Sequence, residues 1–362
     1  MSEIPQTMQA VLLTGHGGPE MLEHRVDVPV PTPKSDEVLI RIGAAGVNNT
    51  DINTRIGWYA KSVTGSTDEG GVDDDASSDG KSGGWSDGLT FPRIQGADAA
   101  GTIVAVGTAV DPGRIGERAM VRSMQASRSA PDQTEVFGSE FDGGFAQFAT
   151  TRASEAFTID CELTDVELAS FPCAYSTAEG MIHKVGVNVG DRVLITGASG
   201  GVGSAAIQLA KRRGAEVIAV ASKAKWPDVE SLGPDRLLDR DTDLLSALGD
   251  SSIDVVLDVV AGPSWPTLLD VLRIGGRYMT AGAIAGPIVE LDVRTLYLKD
   301  LTLMGSTAQP REVFENLISY IESGEIKPMV SKTYLLSEIA TAQDDFVAKR
   351  FPGKLVLIPP SL

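Results

Sequence analysis

The chain has 362 residues, 42% of them hydrophobic, a formal net charge of −18 and two cysteines, Cys161 and Cys173. That length supports two domains with full cores, and two cysteines exclude a disulfide framework or a cysteine-rich zinc module. The acidic balance argues against nonspecific nucleic-acid binding, no apolar run reaches the ~20 residues of a membrane span, and residues 1–9 lack a signal peptide's basic-then-apolar pattern, so a cytoplasmic chain with no nucleic-acid or membrane partner is expected.

The first elements are β-rich. Gln9 to Leu13 and Val38 to Ile42 read as strands, and Pro29, Pro31 and Pro33 mark an extended connection between them. Gly43 to Gly57, GAAGVNNTDINTRIG, is a strand entering a polar turn and a short helix, with Asn48, Asn49, Thr50 and Asp51 as natural turn and cap residues. Residues 61–88 then change character, with seven glycines, six serines, seven acids and two lysines. So polar a stretch buries too little apolar surface to offset its ordering entropy, and a solvated, mobile loop is expected. The alternative is a lid carrying Trp85. Phe91 to Gly107, the turn Asp111-Pro112-Gly113, a strand over Arg118 to Arg122 and another over Gly143 to Thr151 complete this part. Thr164 with Glu167, and Ser176 with Glu179, have capping-box spacing and predict helix starts at both places.

Arg192 to Ser222 is the most informative stretch. Val193, Leu194 and Ile195 form a short apolar run of the kind a fully buried parallel strand shows. The loop Gly197-Ala198-Ser199-Gly200-Gly201-Val202-Gly203 follows, then an amphipathic helix ending in Lys211, Arg212 and Arg213, then Gly214 at the C-cap position and a second strand over Glu216 to Val220. Ala198 stands where the G-x-G-x-x-G fingerprint has its first glycine. The whole strand-turn-helix-strand unit nevertheless predicts a dinucleotide site, with the pyrophosphate at the helix N-terminus beside Ser199, Gly200, Gly201 and Val202. Ile253 to Val260 and Gly276 to Thr280 are further apolar strands. Their C-terminal loops, Ala261-Gly262 and Ala281-Gly282, are expected along the nicotinamide. Leu301 to Ser306 reads as a last strand, Pro310 to Ser323 as an amphipathic helix, and Gly353-Lys354-Leu355-Val356-Leu357 as the chain's return to its first part.

AAGVNNTDINTRIGWY, FPRIQGADAAGTIVAVG, GGFAQFA, CAYSTAEGMI, the glycine-loop unit, IDVVLDVVAG, LRIGGRYMTAGA and GKLVL follow one another across nearly the whole chain. In that order they resemble the medium-chain dehydrogenase/reductases, most closely the zinc-independent quinone oxidoreductase branch that includes zeta-crystallin. The resemblance implies an α/β chain. A GroES-like β-rich catalytic domain would comprise 1–156 and 307–362, with the acidic insertion at 61–88. A Rossmann domain with a doubly wound parallel sheet would comprise 157–306, with the active site in the cleft. It also implies a homodimer.

Zinc relatives place a cysteine, a histidine and a second cysteine where this chain has Asn48, Ala97 and Cys173. One thiol cannot hold a catalytic zinc, so no metal is expected. The resemblance further implies that Asn48, Thr177, Val260, Ala283 and Lys354 face the cofactor, although Thr177 reads equally as a helix cap. The branch often carries a tyrosine pair after GVN. Here Asn53 replaces the first and Tyr59 remains, a hydrogen-bond donor to the substrate oxygen or a packed loop aromatic. The short-chain dehydrogenases share the glycine loop but need Tyr-x-x-x-Lys, and none of the six tyrosines has a lysine four residues on.

Without a metal or that pair, an activated acceptor suits the chain best, which points to NADPH-dependent reduction of a quinone or α,β-unsaturated carbonyl. An enoyl-thioester reductase and a non-catalytic, crystallin-like NADPH-binding protein are the alternatives. NADPH is expected because the second strand ends Ala221-Ser222-Lys223-Ala224-Lys225 with no acid within reach; Ser222 and Lys223 suit a 2′-phosphate. The resemblance adds Arg240.

Overall fold

The computed structural model describes residues 4–71, 89–130 and 132–361. In chain order the first strands are β1 (Thr7–Leu13), β2 (Leu22–Pro29), β3 (Glu37–Val47), β4 (Arg93–Ile94), β5 (Ala100–Val106), β6 (Arg118–Val121), β7 (Met124–Ala126), β8 (Thr134–Val136), β9 (Phe148–Arg152) and β10 (Ala156–Thr158). Helix α1 (Asn49–Arg55) follows β3, while α2 (Asp165–Leu168) and α3 (Pro172–Val185) follow β10. Strands and helices then alternate: β11 (Arg192–Ile195), α4 (Gly201–Arg212), β12 (Glu216–Val220), α5 (Trp226–Glu230), β13 (Arg236–Leu238), α6 (Leu244–Leu248), β14 (Ile253–Asp258), α7 (Trp265–Val271), β15 (Leu272–Thr280), α8 (Val293–Leu298) and β16 (Thr302–Gly305). The chain ends with α9 (Arg311–Glu322), β17 (Val330–Leu335), α10 (Ile339–Val347) and β18 (Lys354–Ile358).

Two compact units result. The first gathers the described residues of Met1–Val63, Gly70–Cys173 and Phe314–Leu362, the second those of Thr64–Glu69 and Ala174–Val313.

In the first unit β3 is the organising strand. Only its Arg41 is exposed, because β5 and β9 pair along its first half and β18 along its last residues. The sheet order is β10-β6-β5-β3-β18-β17, and β2-β1-β4 forms a second sheet. Val38, Ile40, Phe145, Phe148 and Leu357 lie in the core of this unit. The register Leu355↔Val47 brings Lys354 beside Asn48 across 306 residues of sequence.

The second unit holds one parallel sheet, ordered β13-β12-β11-β14-β15-β16. The order reverses between β11 and β14. This is the switch point outside whose strand ends doubly wound sheets bind ligands. Val193, Leu194, Val217, Ile218, Val255 and Val256 are buried, as strands covered on both faces require.

Two expectations fail. Ser176 does not start a helix: α3 is already under way from Pro172, whose fixed φ suits a first helical turn. Ser176 and Thr177 lie in its interior, and the buried Glu179 carboxylate binds Arg213 through two bonds of 2.6 and 2.8 Å. Thr164, by contrast, caps α2 with Glu167 as read. The second failure concerns the start of the acidic insertion. Residues 64–69 pack with the second unit, where Thr67 is buried and donates its N–H to the Ile284 carbonyl at 3.3 Å. Glu69 closes the turn by accepting the Ser66 N–H at 2.9 Å. A long-range hydrogen bond and local ones thus order a piece that composition assigned to solvent. Residues 72–88, Trp85 among them, lie outside the described residues.

Candidate active site

The predicted site residues divide between the two units. In the second, β11 ends at Ile195 and the chain turns at Gly197, whose φ of +59° disfavours a side chain. A Cβ there would also press to 2.9 Å from Val259 and 3.2 Å from Val260. The tight turn therefore belongs to Gly197, which is why Ala198 is tolerated, fully buried, in the next position. Gly203 is needed for close packing, since a Cβ on it would lie 2.2 Å from the Gly197 carbonyl oxygen. The N-cap of α4 is Gly200, and no side chain caps the helix. Ser199, Gly200, Gly201 and Val202 thus leave the positive end of a twelve-residue helix accessible.

The loops after β14 and β15 are tied to each other. Ala285 donates its N–H to the Val260 carbonyl at 2.9 Å, and Gly286 to Ala283 at 3.0 Å. The fully buried Asp258 organises this region. It accepts from Thr196 Oγ1 at 2.5 Å, from the Tyr278 hydroxyl at 2.6 Å, and from the N–H groups of Val260 and Ala261 at 2.8 and 3.1 Å. Ala261 is held at φ +54°, a conformation costly for alanine that these bonds enforce. Burial and the neighbouring carboxylate push the Tyr278 phenol far up, so it stays a donor.

At the end of β12, Ser222 is half-exposed and Lys223 exposed, while Arg240 lies in solvent with Asp241 3.8 Å away. The expectation that no acid is within reach is corrected here. Asp239, at the end of the neighbouring β13, accepts the Lys223 backbone N–H at 3.1 Å. Thr177 is half-buried on α3.

In the first unit the central feature is a buried ammonium. Lys354 donates to Asn48 Oδ1 at 2.5 Å, Asp98 Oδ2 at 2.8 Å and the Val47 carbonyl at 3.0 Å, which uses all three of its protons. The Asn48 amide nitrogen donates to Asp98 Oδ2 at 2.8 Å and to the Gly46 carbonyl at 3.3 Å, leaving only a second lone pair on Oδ1. Asp98 Oδ1 accepts the Cys173 N–H at 2.6 Å. Asp51 accepts from the N–H groups of Asn48 and Ala97 at 2.8 and 3.2 Å. Burial foremost, and Asp98 next to it, push the Asp51 carboxyl up to about 7, against those donors and Lys354. Among the described residues no three His, Cys, Asp or Glu side chains are grouped to hold a metal.

Asn53 and Tyr59 do come together. The Tyr59 hydroxyl donates to Thr50 Oγ1 at 3.2 Å and is hydrogen-bonded to the Asn53 side chain, with Cys173 close by. Burial pushes the phenol up to about 12, which keeps it protonated.

Comparison with known proteins decides the family. Residues 34–161 match the alcohol dehydrogenase GroES-like domain and residues 201–323 the zinc-binding dehydrogenase domain. Quinone oxidoreductase of Rattus norvegicus is 26% identical over 368 residues, covering 97% of this chain and 98% of that one. The crystal structure of an alcohol dehydrogenase candidate from Sinorhizobium meliloti 1021 superposes with a TM-score of 0.89 at 46% identity, covering 99% of both chains. A 2-octenoyl-CoA carboxylase reductase, solved with NADP and 2-octenoyl-CoA, gives 0.82 at 25% identity, over 99% of this chain and 89% of that one.

The chain is a medium-chain dehydrogenase/reductase. The unit that holds its GroES-like match carries the buried ammonium, and its nucleotide-binding sheet carries the glycine loop. The loop fits a nicotinamide dinucleotide on its own geometry: a glycine-only turn, a glycine that admits the helix, and an uncapped helix N-terminus. Four residues that matter to this dehydrogenase/reductase escaped assignment from sequence. Thr50 passed for a cap, and Asp98 is paired with a lysine 256 residues away. Asp258 was only the end of an apolar strand, and Asp239 reaches the site through a neighbouring strand.

Proposed function

We propose that the chain is an NADPH-dependent, metal-independent reductase of a quinone or α,β-unsaturated carbonyl. The observation that carries this reading is the Lys354 ammonium, hydrogen-bonded to Asn48 and Asp98 where zinc relatives gather their ligands. A fixed positive charge there opposes a dication, and the donors around it are already engaged. Bound, a reduced nicotinamide supplies the hydride. The chain's own part is to orient and to donate a hydrogen bond. Tyr59, kept protonated and held beside Thr50 and Asn53, turns its single proton from Thr50 Oγ1 to the acceptor oxygen as negative charge develops there. An acceptor with a conjugated carbonyl needs no stronger electrophile than that.

The test is a hydride-transfer assay against a panel of quinones, enones and enoyl-CoA thioesters, with and without chelator. Turnover of quinone or enone that chelator leaves intact is expected. Loss of one tightly bound zinc together with activity would overturn the metal-independent reading. The similarity to a structure holding 2-octenoyl-CoA favours an enoyl-thioester reductase as the second reading. It wins if an enoyl-CoA exceeds the matching free enone in kcat/KM by more than about a hundredfold, roughly 2.7 kcal/mol.

A homodimer belongs to the same proposal. It is supported by β16 at the edge of the parallel sheet and by the exposed Val293, Tyr297 and Leu298 of α8. Sedimentation at micromolar concentration checks it.

A further inference from the structure

NAD-specific dinucleotide sheets place an acid at the end of their second strand to accept the adenosine ribose hydroxyls. In this chain β12 runs out into Ser222-Lys223-Ala224-Lys225 and carries none. Its parallel neighbour does. Val220 pairs with Leu238, and Ala221 donates its N–H to the Leu238 carbonyl at 3.0 Å, so the two strands end at the same level. One residue on, Asp239 turns back to β12. Its Oδ2 accepts the Lys223 N–H at 3.1 Å, and its Oδ1 accepts the Asp241 N–H at 3.0 Å. Two backbone donors therefore fix this carboxylate, which is not a freely swinging surface acid. Each oxygen keeps a second lone pair.

The surroundings make it a competitor of the cations beside it. Lys223 and Arg240 are exposed, and the Arg240 guanidinium lies 3.8 Å from the Asp241 carboxylate. The Asp241 and Lys223 N–H groups hold the Asp239 carboxyl below the usual carboxylate range, so it is charged at neutral pH. A ribose hydroxyl at the end of β12 meets a fixed acceptor. A 2′-phosphate there meets Ser222 and Lys223, but also a negative charge within hydrogen-bond length of the Lys223 backbone.

We propose that Asp239 is a specificity-determining residue for the nucleotide, accepting the ribose hydroxyl of NADH and restraining the preference for NADPH. This rests on the nucleotide site proposed above. The second strand's usual acid is thus supplied from the third, and the two cofactors compete at one end of the sheet.

The test uses adenosine fragments, so that it does not depend on turnover. Titration calorimetry of the full chain with 2′,5′-ADP and with 5′-AMP gives a ratio of affinities. Asp239→Asn keeps an acceptor but removes the charge, and should shift that ratio toward 2′,5′-ADP by about tenfold, roughly 1.4 kcal/mol. Glu23→Gln, the same change of charge in the first unit, should leave the ratio within about twofold. Asp239→Ser, smaller and also neutral, should repeat the shift and stands in if the asparagine variant fails to fold. An unchanged ratio in a folded Asp239 variant, or an equal shift in Glu23→Gln, overturns the proposal. Wild-type chain that binds 5′-AMP more tightly than 2′,5′-ADP overturns the NADPH reading instead, while the ratio shift still reports on Asp239. Binding of neither fragment would remove the nucleotide site and this proposal together.

Discussion

Two clusters of charge in this molecule obey opposite rules. Around Lys354, four polar groups are buried and hydrogen-bonded almost entirely to one another and to the backbone. Around Lys223, two cations and two acids face water, and only Asp239 is pinned. Coulomb interactions that are nearly dissipated in solvent are several times stronger in the interior, but each buried charge also carries a desolvation penalty. The first cluster therefore acts on stability and geometry, and the second on the choice of ligand. Asn48 and Lys354, expected from resemblance to face the cofactor, are both members of the first cluster.

The largest effect should come from breaking the interior cluster. Lys354→Met leaves the fully buried Asp98 without its cation and Asn48 Oδ1 without its donor. A loss of about 3–5 kcal/mol is expected, the usual consequence of stranding a buried charge. Urea denaturation should show it, and adding Asp98→Asn should restore part of it. A variant within about 1 kcal/mol of wild type would mean that the pair is more hydrated than its burial implies.

Asp51 sharpens the same contrast through pH. Its folded carboxyl titrates near 7 because burial foremost disfavours the charge, whereas the ordinary value is 3.8. Below about pH 4 the carboxyl is protonated both folded and unfolded, and its contribution to stability is fully present. As pH rises toward 7 the unfolded chain releases the proton first, and that contribution is lost, by at most about 4 kcal/mol at 1.36 kcal/mol per unit. Asp98 and Lys354 are the charged groups facing it. Asp51→Asn should carry a constant cost, since its amide would oppose the N–H of Asn48 or Ala97. Only the wild-type chain should show the added slope between pH 4 and 7. Parallel stability curves would sink the assignment.

The exposed cluster predicts the converse, an effect on ligand and none on stability. Ser222→Asp with Lys223→Ala should lower the NADPH:NADH ratio of kcat/KM by about a hundredfold, near 2.7 kcal/mol. The melting temperature should hold within a few degrees, because both side chains make few buried contacts. Equal use of the two cofactors by the unmodified chain would overturn the NADPH reading.

What the sequence revealed follows the same division. The nucleotide-binding sheet was legible because its signals are local: apolar runs at Val193 and Ile253, a glycine loop, a helix closed by cations and Gly214. The fingerprint even tolerated Ala198, since Gly197 makes the turn. Long-range pairing was not legible. Nothing near Asp98 announces Lys354; the β3–β18 and β3–β5 registers together join them. Asp239 was missed for the same reason, on a neighbouring strand instead of the same one. Local patterns also misled at Ser176, where a capping-box spacing falls inside a helix begun by Pro172. Composition misled at residues 64–69, where a few hydrogen bonds order a polar segment. The edge strand β2 and the helix α10 had no expectation against which to be read.

Tyr59 lies between the two regimes and gives the smallest and most discriminating test. The residue is half-buried, its hydroxyl is bonded to Thr50 and Asn53, and burial keeps the phenol neutral by pushing its titration up to about 12. If those bonds only pack the loop after α1, Tyr59→Phe should cost about 1 kcal/mol of stability, a typical buried hydrogen bond, and leave turnover alone. If the hydroxyl donates to the substrate oxygen, kcat should fall about tenfold, near 1.4 kcal/mol, with KM nearly unchanged, because the bond strengthens only as charge develops. Thr50→Val separates the two further. It removes the acceptor that orients the phenol, so it should lower kcat by a smaller factor in a wild-type background and by nothing in Tyr59→Phe. Additive losses in the double variant would mean that the two hydroxyls act independently. Apart from any step near 7 where Asp51 titrates, a flat pH profile of kcat up to 9 is expected for wild type, since the phenol does not ionise there. A rate that declined with an apparent pKa between about 8 and 9 would point to another donor, with Tyr59 a packing aromatic.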